Sequence, residues 1–348
     1  MIKQKNILRK PMINTINLIL MLITSLFIGI SCSKDSSEPS SGIIQTNLIK
    51  IEDALNHSNT DFVNLVNSTR GRVGTIGSGS KVVWSKKNDF HLGLFVSANH
   101  AYGITAWSSL NEEFIDITSV YNGIYLGSQM PQTNGNPSLT NELVANFGLY
   151  HPQIPASATN TTILPENDFY LGIMDNQRII NNGFGHYPNF VQTSIPFEIF
   201  DPNNRTLSNQ TWSIPNSDDI VIAMGYPQDK ATYPNGAVAT GKVYSNAEAE
   251  NIIHLLNISN DIEGGIPYNP QVEFLANIDA VTGMSGGGVF NTDGQLVGIM
   301  VRATELNGEP ILRVIRMSYI VQKLNDFYNT LPISDKNKLQ PFIRGELN

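Results

Sequence analysis

Gly283-Met284-Ser285-Gly286-Gly287 is the segment of this chain whose residue types lend themselves most directly to chemistry. A serine flanked by glycines exposes its Oγ and lets main-chain N–H groups approach a reacting carbonyl. That is the equipment of nucleophilic acyl transfer, and a serine needs a base beside it to do the work. A G-x-S-x-G run also suits a strand–turn–helix elbow, in which the serine is followed by an acid and then by a histidine. The last histidine here is His254, so no base lies downstream of Ser285 and that order is excluded. An order of acid, histidine, serine would need a suitable aspartate ahead of the histidine, and none is evident. The order histidine, aspartate, serine remains.

The elements that must position such groups read as β structure. From about Arg72 the chain consists of short β-like runs separated by Gly, Pro and Asn. They include Lys81–Trp84, Leu92–Ser97, Phe169–Met174, Ile220–Met224, Gly241–Tyr244, Val289–Phe290, Leu296–Val301 and Leu312–Ile315. Many short strands with turn signals between them predict a sandwich or barrel and not βαβ units. Asp293-Gly294 is a hairpin signal. Leu48, Ile51, Leu55, Phe62, Leu65 and Val66 lie close to one helical face, so one or two short helices are expected over 48–66, interrupted near Asn59-Thr60-Asp61. Ile320, Val321, Leu324 and Phe327 predict a helix over Ser318–Tyr328. Residues 122–167 are polar and rich in Pro and Asn, and read as an insertion loop.

Three segments in the required order resemble the trypsin-like serine peptidases. Val96-Ser97-Ala98-Asn99-His100-Ala101 is similar to the strand-to-histidine segment of that family. Glu166-Asn167-Asp168-Phe169-Tyr170-Leu171 is similar to its acid-bearing segment, and Gly283–Gly287 matches G-x-S-G-G. Weaker echoes lie at Gly77–Ser80, Ala223–Pro227 and Thr240–Val243. The resemblance covers about residues 70–330. It implies an all-β fold of two six-stranded antiparallel β-barrels, with short N-terminal helices, a C-terminal helix and the reacting groups in the cleft between barrels. It implies Ser285 as nucleophile, His100 as base, Asp168 as the acid that orients the imidazole, and an oxyanion hole from the N–H groups of Gly283 and Ser285. Protein or peptide is the implied substrate, and no cofactor or metal is required. Asp116 and Asp175 are the alternative acids. The other histidines, His57, His91, His151, His186 and His254, have no ligand-like spacing.

The departures from the family pattern bear on specificity. Met284 stands where pancreatic-type members carry an acid that pairs with a new N-terminus, so activation of that kind is not expected. Gly288 replaces the usual proline. Met300 stands where glutamyl endopeptidases carry a substrate-reading histidine, while Val301 and Arg302 are expected along the outer wall of the pocket. Asp279, six residues before Ser285, has the spacing of the trypsin pocket acid, or of a structural Asp-Ala segment that never meets substrate. Small or apolar side chains are the expected substrates before the cut. The rival reading from another class is a catalytically silent binding protein of the same fold, kept open by Met284 and Arg302.

The N-terminal residues predict export from the cytoplasm. Lys3, Lys5, Arg9 and Lys10 precede Leu18–Ile30, thirteen uncharged and mostly apolar residues, which is the length of a signal-peptide core and too short to span a bilayer comfortably. The segment ends at Ser31-Cys32 and resembles a bacterial lipoprotein signal, with Cys32, the only cysteine, as the lipidated residue. Ser33 in place of an aspartate favours the outer membrane over inner-membrane retention. The expected divisions are a leader at 1–31, a tether at 32–45, a helical segment at 46–69, a first barrel at 70–185, a second at 186–317, and a helix and tail at 318–348. The formal charge is −8 over 348 residues; without the leader, 18 basic and 30 acidic residues leave −12. Such a chain has no electrostatic footprint for a phosphate backbone, which excludes nucleic acid as a partner.

Overall fold

The computed structural model describes residues 42–43, 45–76, 79–87, 92–101, 105–108, 113–116, 146–152, 154, 162–175, 211–333 and 336. In chain order its elements are β1 (Thr46–Lys50), α1 (Ile51–Leu55), α2 (Thr60–Thr69), β2 (Val73–Ile76), β3 (Gly79–Lys87), β4 (Leu92–Ser97), β5 (Thr105–Ser108) and β6 (Glu113–Asp116). There follow β7 (Asn146–Tyr150), β8 (Tyr170–Asp175), β9 (Ile220–Gly225), β10 (Ala237–Lys242), α3 (Asn246–Ile258), β11 (Glu273–Ala276), β12 (Gly288–Asn291), β13 (Leu296–Leu306), β14 (Glu309–Arg316) and α4 (Met317–Thr330). The leader, Cys32, most of the tether, Gly77, Ser78, His91 and His186 lie outside the described residues.

Two antiparallel sheets dominate, as the sequence predicts. The first runs β2-β3-β4-β8-β7 and the second β1-β10-β9-β12-β13-β14-β11, with β5 and β6 forming a separate pair. Among the described residues the first sheet therefore has five strands and the second seven, where six and six were expected. The seventh strand of the second sheet is β1. The chain at the end of β10 also meets β11: Asn277 N–H donates to the Lys242 carbonyl at 2.9 Å, Tyr244 N–H donates to the Leu275 carbonyl at 2.9 Å, and Val243 bridges Ala276. One side of the second sheet is filled by Val221, Ala223, Ala239, Phe274, Val289, Val297, Leu312 and Val314.

A second core lies between the sheets. Val82, Trp84, Leu94 and Val96 from the first sheet pack with Ile222, Met224, Phe290, Ile299 and Ile315 from the second, and with Phe62, Leu65 and Val66 of α2 and Ile320 and Leu324 of α4. Period-2 alternation accounts for this, since residues i and i+2 of a strand face the same side and their neighbours face the other. Trp84, Leu94 and Val96 are fully buried.

Three segments differ from the sequence reading. Thr46–Lys50 is a strand and not the start of a helix. Leu48 packs against the core inside the second sheet and Ile49 against the core between the sheets, so alternation serves two cores and outweighs the helical spacing. The stretch 122–167 contains β7, which pairs with β8. Helix α3 was not anticipated, although Ser245 and Glu248 form a capping box that is visible as S-x-x-E ahead of Ile252, Ile253 and Leu256. The C-terminal helix buries Met317, Ile320, Val321 and Leu324, with Phe327 half-buried against the same core.

Candidate active site

The register of β4 with β8 decides which acid His100 meets. Leu92 pairs with Asp175 at one end of the ladder and Ser97 with Tyr170 at the other. His100 lies three residues beyond Ser97 and Asp168 two residues before Tyr170, so antiparallel pairing brings both to the same end. Asp175 sits at the far end, about 17 Å away at the rise of an extended strand. Asp116 ends β6 in the separate pair.

Asp168 is fully buried after a single 3₁₀ turn, Pro165–Asn167, with its N–H donating to the Pro165 carbonyl at 3.1 Å. Its carboxylate holds His100 twice. Oδ1 accepts the His100 main-chain N–H at 2.9 Å, and the ring Nδ1 lies 2.9 Å from Oδ1 and 2.7 Å from Oδ2. A carboxylate can only accept, which assigns the ring proton to Nδ1 and leaves Nε2 as the free lone pair. The His100 side chain is 23% exposed. Burial pulls its pKa down, but the Asp168 charge and hydrogen bond together outweigh burial, and the net shift is upward from 6.5; Arg302 lowers it and Glu263 raises it as smaller influences. The fully buried Asn99, next to His100, donates its side-chain amide to the carbonyls of Asn167 (3.2 Å) and Pro152 (3.3 Å), fastening the acid's turn to the histidine's.

The serine turn is packed onto the same segment. Ser285 is half-buried, and its carbonyl accepts from Ser80 N–H of β3 at 2.8 Å. A Cβ on Gly79 would meet both Ala101 Cβ at 2.5 Å and the Ser285 carbonyl oxygen at 2.6 Å, so the residue after His100 and the serine flank one glycine. Gly286, at φ +84°, leaves no room for a side chain either, because a Cβ there would lie 2.6 Å from Ala98 N.

Gly283 and Ser285 each present an N–H with no main-chain acceptor among the described residues. Their directions are set from behind. The Thr282 carbonyl accepts from Gln228 N–H and the Met284 carbonyl from Gly287 N–H, both at 2.8 Å. In a planar trans peptide the N–H points opposite to the C=O, so anchoring those two carbonyls aims the N–H groups of Gly283 and Ser285 away from the body of the turn. Gly283 has φ +98°, the left-handed region open to glycine.

The expected pocket residues divide into packing and polar groups. Met300 bonds the turn through its main chain, accepting from Gly286 N–H at 2.7 Å and donating to the Gly287 carbonyl at 3.0 Å, while its side chain is buried in the core of the second sheet. Val301, expected on the pocket wall, is buried in the core between the sheets with Ile299, as alternation along β13 places it opposite to Met300. Asp279 is half-buried and makes no ion pair with a described residue. Arg302 Nε lies 2.8 Å from each oxygen of Glu263, with both side chains about nine-tenths buried. Glu263 also faces Arg313 Nη1 at 3.6 Å, and Arg313 pairs with buried Glu273 at 2.7 and 2.9 Å. Glu263, Glu273 and Arg313 were not singled out from sequence, since partners 39, 40 and 50 residues apart leave no local spacing to read. Among the described residues no group of three His, Cys, Asp or Glu side chains is arranged to hold a metal.

Residues 195–299 match the model of the trypsin-like peptidase domain, a stretch that spans β9 to β12 and the Ser285 turn but not His100 or Asp168. No curated protein matches the chain. Similar solved structures include Rv3671c from M. tuberculosis in an inactive form (13% identity, 77% of this chain and 92% of that one, TM-score 0.37). A serine endoprotease from Yersinia pestis is 15% identical over 76% of this chain and 66% of its own, with a TM-score of 0.37. The MamO protease domain from Magnetospirillum magneticum, in its apo form, is 14% identical over 74% and 97%, with a TM-score of 0.35. These scores add no weight of their own beside the strand registers and the family match. The part of the chain that holds Ser285 is thus similar to a trypsin-like peptidase domain.

Proposed function

We propose that this protein is a lipid-anchored serine endopeptidase acting through His100, Asp168 and Ser285. The observation that carries the reading is the buried Asp168 carboxylate gripping both the main chain and Nδ1 of His100 beside the Ser285 turn. Ser285 Oγ attacks the scissile carbonyl while His100 Nε2 takes its proton. Asp168 keeps the imidazole in the Nδ1–H tautomer and stabilises the imidazolium that forms. The N–H groups of Gly283 and Ser285 receive the negative charge developing on the carbonyl oxygen. His100 then gives its proton to the leaving amine, the acyl group remains on Ser285, and water attacks by the same route in reverse.

Lipidation of Cys32 attaches the domain to the outer membrane through the polar tether. The Glu263 grip on Arg302 keeps the guanidinium beside the site neutralised, which favours small or apolar side chains before the cut over acidic ones. The roles are tested by Asp168→Asn. Loss of the acceptor at Nδ1 permits the wrong tautomer, and hydrolysis of fluorescent casein should fall by up to about four orders of magnitude. Unchanged hydrolysis would reassign the acid.

A further inference from the structure

Ser80 is the second residue of β3, on the first sheet, and is fully buried. All of its polar groups are engaged at the serine turn or at the strand behind it. Its N–H donates to the Ser285 carbonyl at 2.8 Å, and its carbonyl accepts from Ser97 Oγ at 2.6 Å. Its hydroxyl lies 2.8 Å from Tyr226 N and 2.8 Å from the Gly283 carbonyl oxygen. A main-chain N–H can only donate and a carbonyl can only accept, so the direction is unambiguous: Oγ accepts from Tyr226 and donates its single proton to Gly283.

The consequence lies in the peptide planes of the turn. The plane between Thr282 and Gly283 is held through Gln228, the one between Met284 and Ser285 through Gly287, and the one between Ser285 and Gly286 through Ser80 N–H and Met300. The intervening plane, between Gly283 and Met284, is held at its N–H by main chain, Met284 donating to the Val281 carbonyl at 3.0 Å, and at its carbonyl by the Ser80 hydroxyl, the one side-chain group in this set. Gly283 is the residue most able to rotate, having no Cβ and a positive φ. Its own carbonyl is therefore fixed by a side chain of the opposite sheet.

We propose that the Ser80 hydroxyl is a positioning residue for transition-state stabilisation, holding the Gly283–Met284 peptide so that the Gly283 and Ser285 N–H groups converge on the developing oxyanion. The proposal rests on the serine-nucleophile reading above. Ser80 does not touch substrate; it acts through Gly283. Its removal leaves ground-state binding intact and weakens an interaction made in the transition state.

The test uses the full chain and p-nitrophenyl acetate, with the maximal acylation rate and the half-saturating concentration measured separately. Ser80→Ala should lower the maximal rate by about tenfold or more, short of the hundredfold or greater loss that follows deletion of an oxyanion donor, and leave half-saturation within about twofold. Thr240→Ala removes an equally buried hydroxyl, which accepts from Thr46 N–H at 2.7 Å in another part of the second sheet, and should leave the rate unchanged. Ser80→Cys keeps the volume with a much weaker donor, and is read if Ser80→Ala does not fold; its maximal rate should fall as well. A folded Ser80→Ala or Ser80→Cys with the wild-type maximal rate would overturn the proposal while leaving Ser285 as nucleophile. Wild-type protein that is never acylated would overturn the nucleophile reading first, and this proposal with it.

Discussion

A single carboxylate separates Asp168 from the two other acids that sequence order allowed. Asp168 is buried, accepts two hydrogen bonds from His100 and lies at the same end of the β4–β8 ladder. The names of these residues were legible because each adjoins a strand-like run, and antiparallel pairing does the rest. The Arg302–Glu263–Arg313–Glu273 cluster was illegible because its partners meet only through the tertiary fold. The His100 environment fixes a pH dependence. Its pKa is raised, so the imidazole gains a proton, and loses its role as base, at a pH above the ordinary value of 6.5. The acid limb of kcat/KM should therefore have its midpoint above 6.5 and move down in Asp168→Asn, where burial is the largest influence that remains. A wild-type midpoint below 6.5 would contradict the pairing. The same raised pKa stabilises the folded protein fully below pH 6.5, and that contribution disappears as pH rises through the folded-state value.

At the scale of elements, strands that alternate cleanly were readable, and those serving two cores at once were not. β1 departs from the helical spacing because Leu48 and Ile49 are both packed, on opposite faces of the same sheet. α3 carries its capping box in the sequence, within a stretch whose other signals are those of short strands. The end of β10 packs closely against the chain that follows β11. A Cβ on Gly241 would land on the Asn277 carbonyl and 2.7 Å from Ile278 Cγ1. Gly241→Ala must push those segments apart and should destabilise the protein by about 1–3 kcal/mol, the usual cost of overpacking. Denaturant titration would show it as a lowered midpoint; an unchanged midpoint would mean that these contacts contribute nothing to stability.

At the scale of the molecule, the proposal of an exported lipoprotein rests on the cationic and apolar residues ahead of Cys32. Among the described residues no helix is long and apolar enough to cross a membrane. The proposed attachment through Cys32 predicts that Cys32→Ala moves the protein from the membrane fraction into a soluble or unprocessed form. Full membrane retention of the processed variant would show that something other than a lipid holds it.

The central claim is that Ser285 is a nucleophile activated by His100. Purified protein treated with a fluorophosphonate probe and digested for mass spectrometry tests it without knowledge of the substrate. The label should sit on Ser285 and disappear in both Ser285→Ala and His100→Ala, with far-UV spectra unchanged. Absence of label on the folded wild type, or label that persists in Ser285→Ala, would contradict the account.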